Sequence, residues 1–255
     1  MRTILLSCVM VAFCRKGIVC LALVVGASLV GFGCAGAPAA YRKNPQFDSS
    51  CKNLKTYGLV KPRVEVCEIS AGGVPELRDD WCAAARGNVV AALERQFSSK
   101  MINLKTIEPD VSTSQEFEDV SALYKVVSYS IKAHTYFAPN IFPEKVDKFD
   151  YSLGPIDRLL ERYGCDGLIF VYGYDEISTA GRKTLMAAGI VVGALTGVYA
   201  GPRGGVTTVD VALVDVSGTI LWYSFQAQGG SDLRDPGSAT QLVERVMSDF
   251  PECRK

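Results

Sequence analysis

The sequence predicts an α/β (α+β) fold: a single domain with a mixed sheet of about five strands flanked by about four helices, plus an apolar glycine-rich insert. Three observations lead there. Helical stripes of apolar residues alternate along the chain with short strand-like runs, the pattern of helices laid on a sheet. The run GCDGLIFVYGY, residues 164–174, is almost continuously apolar and of strand length, as a central strand covered on both faces must be. The segments VTTVDVALVD and TILWYSF are separated only by Val216-Ser217-Gly218, which makes them an antiparallel hairpin.

Taken in order, the chain begins with a removable leader, expected over residues 1–33. Arg15-Lys16 precede the apolar run Gly17–Gly33, which ends in small residues at Gly33-Cys34-Ala35-Gly36. A basic n-region, an apolar h-region and a small-residue cleavage zone define a secretory signal, with Met10 as an alternative start. Cys34 at the end of the h-region resembles the lipobox cysteine of bacterial lipoproteins, whose thiol is acylated and becomes the new N-terminus. Gly31-Phe32-Gly33 depart from that pattern, which usually has Leu three places before the Cys. Ordinary cleavage near Ala37 and an uncleaved anchor helix are the competing readings. Residues 34–61 carry Pro38, Pro45 and Asp48-Ser49-Ser50 without sustained periodicity and read as a tether.

The folded domain is expected over 62–251. RVEVCEIS from Arg63 alternates as a strand, Gly72-Gly73 turn the chain, and Pro75 suits a first helical turn. Leu77, Trp81, Val89, Leu93 and Phe97 then form the stripe of a helix from about Glu76 to Ser98. A strand from Met101 to Ile107 follows. Ser112-Thr113-Ser114 with Glu116 open a second helix, whose inner face carries Phe117, Val120, Tyr124, Val127 and Ile131 and which ends near His134. Residues 136–154 read as a long loop. Pro155 starts a short helix stopped at Gly164. Leu242, Val243, Val246, Met247 and Phe250 define a C-terminal amphipathic helix.

Charge narrows the function. Arg2, Arg15 and Lys16 are the only charged residues of the leader, so 24 of the 27 basic residues remain beside all 27 acids. A near-neutral domain lacks the basic field that nucleic-acid phosphates demand. Of the 9 cysteines, Cys51, Cys67, Cys82, Cys165 and Cys253 lie beyond Cys34, with no CxxC spacing to signal a zinc or redox site. Cys51 and Cys253, in segments free to meet, are the candidate disulfide, while Cys67, Cys82 and Cys165 read as small buried hydrophobes.

The residues Gly164-Cys165-Asp166, the hairpin motif Asp215-Val216-Ser217-Gly218-Thr219-Ile220-Leu221-Trp222 and the closing helix ATQLVERVMSDF resemble envelope lipoproteins of the group related to the N-terminal domain of TolB and the curli-secretion lipoprotein CsgG. The resemblance covers about residues 62–251, and its motifs are mostly structural: Gly218 reads as a turn residue and Trp222 as a half-buried strand aromatic. It implies a cell-envelope lipoprotein that works in assemblies, and Ala35 after Cys34, which resembles the outer-membrane sorting signal, makes the periplasmic face of the outer membrane the expected address. It implies no catalytic residues, cofactor or metal. Membrane lipid through acylated Cys34, and a homo-oligomer or envelope complex, are the partners expected.

No G-x-S-x-G elbow, Walker loop or HExxH helix occurs. Asp79-Asp80 suit a helix dipole, and the lone His134 has no base, nucleophile or metal partner in sequence. Tyr172, Tyr174, Asp175 and Glu176, at the end of the central strand, are the residues for an alternative function, a periplasmic small-ligand binding module or enzyme. The richest clue is the insert 181–204, where GIVVGALTGVYAG places Gly189, Gly193, Gly197 and Gly201 on one helical stripe, and where Leu185–Ala200 is a run of sixteen uncharged residues. About 24 Å of helix is short for a bilayer core of roughly 30 Å. Three readings are open: a segment that enters or lies on the membrane, an oligomer contact, or an accessory helix packed on its own domain.

Overall fold

The computed structural model describes residues 41–251, which fold around one long strand. In our numbering the strands are β1 (Tyr41–Lys43), β2 (Thr56–Leu59), β3 (Arg63–Ile69), β4 (Pro75–Leu77), β5 (Asn103–Thr106), β6 (Gly167–Ser178), β7 (Val206–Asp215) and β8 (Ile220–Gly229). The helices are α1 (Phe47–Ser50), α2 (Asp79–Ser99), α3 (Ser114–Thr135), α4 (Pro143–Lys148), α5 (Asp157–Tyr163), α6 (Ala180–Thr196) and α7 (Pro236–Val246). The leader, Cys34 and Cys253 lie outside the described residues.

The strand β6 is long enough to hold two partners end to end on one edge. The strand β2 runs parallel to its first quarter, Gly167–Ile169, and β3 parallel to its second half, with Tyr57 opposite Gly167 and Arg63 opposite Tyr172. Between them Pro62 has no N–H for a ladder, although the N–H of Val60 still reaches the carbonyl of Ile169 at 3.1 Å. The sheet therefore forks: β5 extends it beside β2, in parallel, and β4 beside β3, antiparallel. On the other edge β7, β8 and β1 follow in antiparallel order. The result is an open mixed sheet of eight strands.

Alternation along β6 sorts two cores. Ile169 and Val171 face a layer built from α2 and α7, with Leu93, Phe97, Leu242, Val246 and Phe250. Leu168, Phe170 and Tyr172 face α3 and α5, with Phe117, Tyr124, Ile131 and Leu159. Fully burying such side chains is worth about 1.5–3 kcal/mol each against the exposed state, which is why the 3.6-residue stripes of α2 and α3 were readable. Trp222 is fully buried rather than half-buried, because the edge of its ring system is closed by Phe250 at 4.9 Å. In the turn after β7, Asp215 Oδ1 accepts from the N–H groups of Ser217 and Thr219, both at 3.0 Å. Gly218 there has φ +78°, and a Cβ on it would lie 1.7 Å from the carbonyl oxygen of Gly154.

Several expectations are corrected. Among the described residues the sheet has eight strands and the fold seven helices, against about five and about four, because β1, β2, β4, α1 and α4 are too short to show a period and the insert itself supplies α6. From Tyr41 onward the tether expected over 34–61 is part of the domain: β1 pairs with β8 and β2 with both β5 and β6. Pro75 opens β4 instead of a helix, and α2 begins at Asp79, where Asp79 and Asp80 fill its first turn. The loop 136–154 contains α4.

Candidate functional site

The helix α6 leaves the end of β6 and projects from the sheet. Its start is fixed: Thr179 Oγ1 caps the N–H of Arg182 at 3.3 Å. Arg182 itself is buried, and its guanidinium donates to the carbonyls of Arg203 at 2.9 Å and Ser70 at 3.4 Å, which ties both ends of the insert to the sheet. The helix ends where Gly197 adopts φ +75°, a left-handed conformation that costs other residues strain.

Beyond Gly197 the chain folds back along α6, and the glycine stripe lies against this returning segment. A Cβ on Gly189 would sit 2.4 Å from the Cα of Gly201, and one on Gly193 would sit 3.4 Å from the Cα of Tyr199. The ring of Tyr199 covers Gly201, and its hydroxyl donates to the carbonyl of Pro202 at 2.7 Å. All four candidate glycines thus belong to one hairpin made within the chain. Its remaining side chains are open to solvent: Leu195 is 82% exposed, Val198 67%, Ile190 63% and Val191 60%. Among the described residues no helix is long and apolar enough to cross a membrane.

The structure divides the strand-end residues between the two faces. Tyr172, Tyr174 and Glu176 point to the α3 side, and Asp175 to the other. Tyr172 donates to Glu65 Oε2 at 3.0 Å, and Lys125 holds Glu65 Oε1 at 2.5 Å. Tyr174 donates to Glu176 Oε1 at 3.1 Å, an oxygen that Arg203 also approaches at 3.3 Å. Burial pushes the Tyr174 phenol above its ordinary range, with the Glu176 carboxylate adding to the shift. Glu176 Oε2 and Ser178 Oγ are buried without a hydrogen bond. Both residues border a cavity of about 310 Å³ that also touches Lys183, Met186 and Asp232. Asp175 accepts from Thr207 Oγ1 at 2.7 Å and from the N–H of Leu233 at 2.8 Å, while burial raises its carboxyl above the usual range. These residues tie β6 to its neighbours. The chemistry left open there is one carboxylate oxygen of Glu176, able to accept from a donor, and the hydroxyl of Ser178.

Sequence reasoning missed a buried ionic cluster. Asp210, on the inner face of β7, takes the ammonium of Lys132 at 2.8 Å, the hydroxyl of Ser128 at 2.9 Å and the phenol of Tyr124 at 2.5 Å. The spacing 124, 128, 132 was a usable signal, since it puts three hydrogen-bonding side chains on the inward stripe of α3. His134, half-buried, contacts the Tyr151 hydroxyl through Nδ1 at 3.1 Å. Cys51 is disulfide-bonded, and Cys253, the partner expected for it, lies outside the described residues. Cys67, Cys82 and Cys165 are free and buried. Among the described residues no group of three His, Cys, Asp or Glu side chains is placed to hold a metal ion. No protein-family model and no curated protein sequence matches the chain.

Proposed function

We propose that this chain is a non-enzymatic cell-envelope lipoprotein, held through acylated Cys34 at the periplasmic face of the outer membrane, whose α/β domain supports a membrane-associated assembly of the secretion or envelope-biogenesis type. The observation that carries the reading is the apolar hairpin on an otherwise well-packed domain. Four aliphatic residues at least 60% exposed on one projection would not persist bare in water, since contiguous apolar surface of this kind marks a site of contact with membrane or protein. The leader ending at Cys34 and the resemblance to envelope lipoproteins support the same address. The buried ionic cluster and the strand-end bonds serve the frame of the domain, which suits a scaffold.

The test is metabolic labelling with a palmitate analogue in a bacterial host, followed by membrane fractionation and crosslinking. The chain should take up label, Cys34→Ser should abolish it and shift the protein toward the soluble fraction, and crosslinking should trap species larger than the monomer. A wild-type chain that stays unlabelled would sink the anchor, and one recovered only as a monomer would sink the assembly.

A further inference from the structure

The two membrane-directed features of the sequence, the acylation site and the insert, lie 155 residues apart from Cys34 to Gly189, and nothing in the sequence relates them. The sheet does. The strand β1 is antiparallel to β8, with Tyr41 opposite Ser224, so the N-terminal end of β1 points toward the C-terminal end of β8. That end, Gly229, pairs with Val206, the first residue of β7, two places beyond the insert. The chain therefore enters the domain from the same pole at which the hairpin leaves it. Ser224 and Gly229 are five steps apart along β8, roughly 17 Å at ~3.4 Å each. Cys34 and Tyr41 are seven steps apart in sequence, a chain length of up to about 24 Å. That length of chain is enough to cover the distance from Tyr41 to the level of the hairpin base.

The hairpin suits hydrocarbon better than a second copy of itself. The glycine stripe, which would allow another helix to approach closely, is already covered by Tyr199–Gly201 of the same chain. Outside that stripe the exposed side chains Leu185, Ile190, Val191, Val192 and Leu195 fall all round the helix at 100° per residue, whereas a dimer contact needs one face. Helices that are apolar all round are surrounded by core or by lipid. Immersion favours internal hydrogen bonds, and the last turn of the helix has them. Gly197 N–H reaches the carbonyl of Gly193 at 2.8 Å, and Thr196 donates to the carbonyl of Val192 at 2.8 Å. Leu185 to Leu195 is about 15 Å of helix, matching half of a hydrocarbon core of ~30 Å. Lys183 and Arg203 mark its base, where Arg203 pairs with Glu176 Oε1 at 3.3 Å and Lys183 shares a cavity with Asp232.

We infer that residues 180–203 insert as a wedge into the same leaflet that holds acylated Cys34, so that the pole formed by the ends of β6 and β8 faces the bilayer. This rests on the anchoring reading above. The test uses the full chain carrying Cys34→Ser, which removes the acyl contribution, with vesicles of phosphatidylethanolamine and phosphatidylglycerol. A Leu195→Trp substitution should show added fluorescence that lipids brominated deep in the acyl chain quench more than shallow ones. Leu195→Asp with Val198→Asp should lower vesicle partitioning by roughly tenfold or more at unchanged melting temperature. Equal flotation of the Asp pair would overturn the inference, as would a lipid-free oligomer that the Asp pair dissolves. A chain that takes up label at Cys34, while the fluorescence added by Leu195→Trp stays unquenched, would refute the wedge alone. Quenching without labelling would refute the anchor alone.

Discussion

Removing the ammonium of Lys132 should be among the most damaging single changes in this domain. Lys132 and Asp210 side chains are 6% and 1% exposed, and their N···O distance is 2.8 Å. Breaking a buried pair by deleting one partner costs about 3–5 kcal/mol, because a charge is left without compensation. Lys132→Met leaves Asp210 with two hydroxyl donors, Tyr124 and Ser128, which places the cost near the lower bound, about 3 kcal/mol. For a domain of this size each kcal/mol moves the melting temperature by roughly 2–4 °C, so a drop of roughly 6–12 °C is expected. Asp210→Asn strands the ammonium, which retains only ring faces such as Tyr129 at 4.7 Å and Tyr172 at 5.1 Å. Urea denaturation of both single variants and the double closes a thermodynamic cycle. The double should cost less than the sum of the singles by about 1 kcal/mol or more. Additive costs, or a loss below about 1 kcal/mol for Lys132→Met, would refute the claim that the charges hold α3 to β7.

Two further changes probe other parts of the argument. Burial makes the Asp175 carboxyl harder to ionise in the fold than in the unfolded chain, so the folded state binds more protons, and this residue's contribution to stability falls as pH rises above about 3.9. The melting-temperature difference between wild type and Asp175→Asn should therefore shift in favour of wild type as pH is lowered from neutrality toward about 4; a constant difference would contradict it. Gly189→Ala improves helix propensity by about 1 kcal/mol but sets a methyl 2.4 Å from the Cα of Gly201. Chymotryptic cleavage at Tyr199 should accelerate while global melting hardly moves, and an unchanged cleavage rate would show that the return segment is not held there.

The long elements were legible because each buries one face over many residues. The stripe of α2 through Val89, Leu93 and Phe97 repeats a period that only a helix satisfies, and the run Leu168–Tyr172 has the composition of a strand covered twice. The segment 41–61 was not legible, because strands of three or four residues carry no period and are fixed by the edge they meet: Tyr41 by Ser224, Tyr57 by Gly167. The strand-end residues were found, but their division between two faces follows from strand alternation and showed that they are not one site. The ionic cluster spans 78 residues between Lys132 and Asp210, a separation at which local pattern says nothing about pairing.

The sequence by itself determined the class of fold and the hairpin turn at Asp215–Thr219, because each follows from local rules of period and turn chemistry; the helical stripe of four glycines expected of the insert holds only for Gly189 and Gly193, since α6 ends at Thr196, Gly197 turns the chain and Gly201 lies on the return. Only the tertiary structure decided what that stripe packs against, which charges are buried together, and that the chain enters the sheet at the pole from which its apolar hairpin departs. Those are consequences of register between distant strands, and register is fixed by burial of whole faces rather than by any stretch of neighbouring residues.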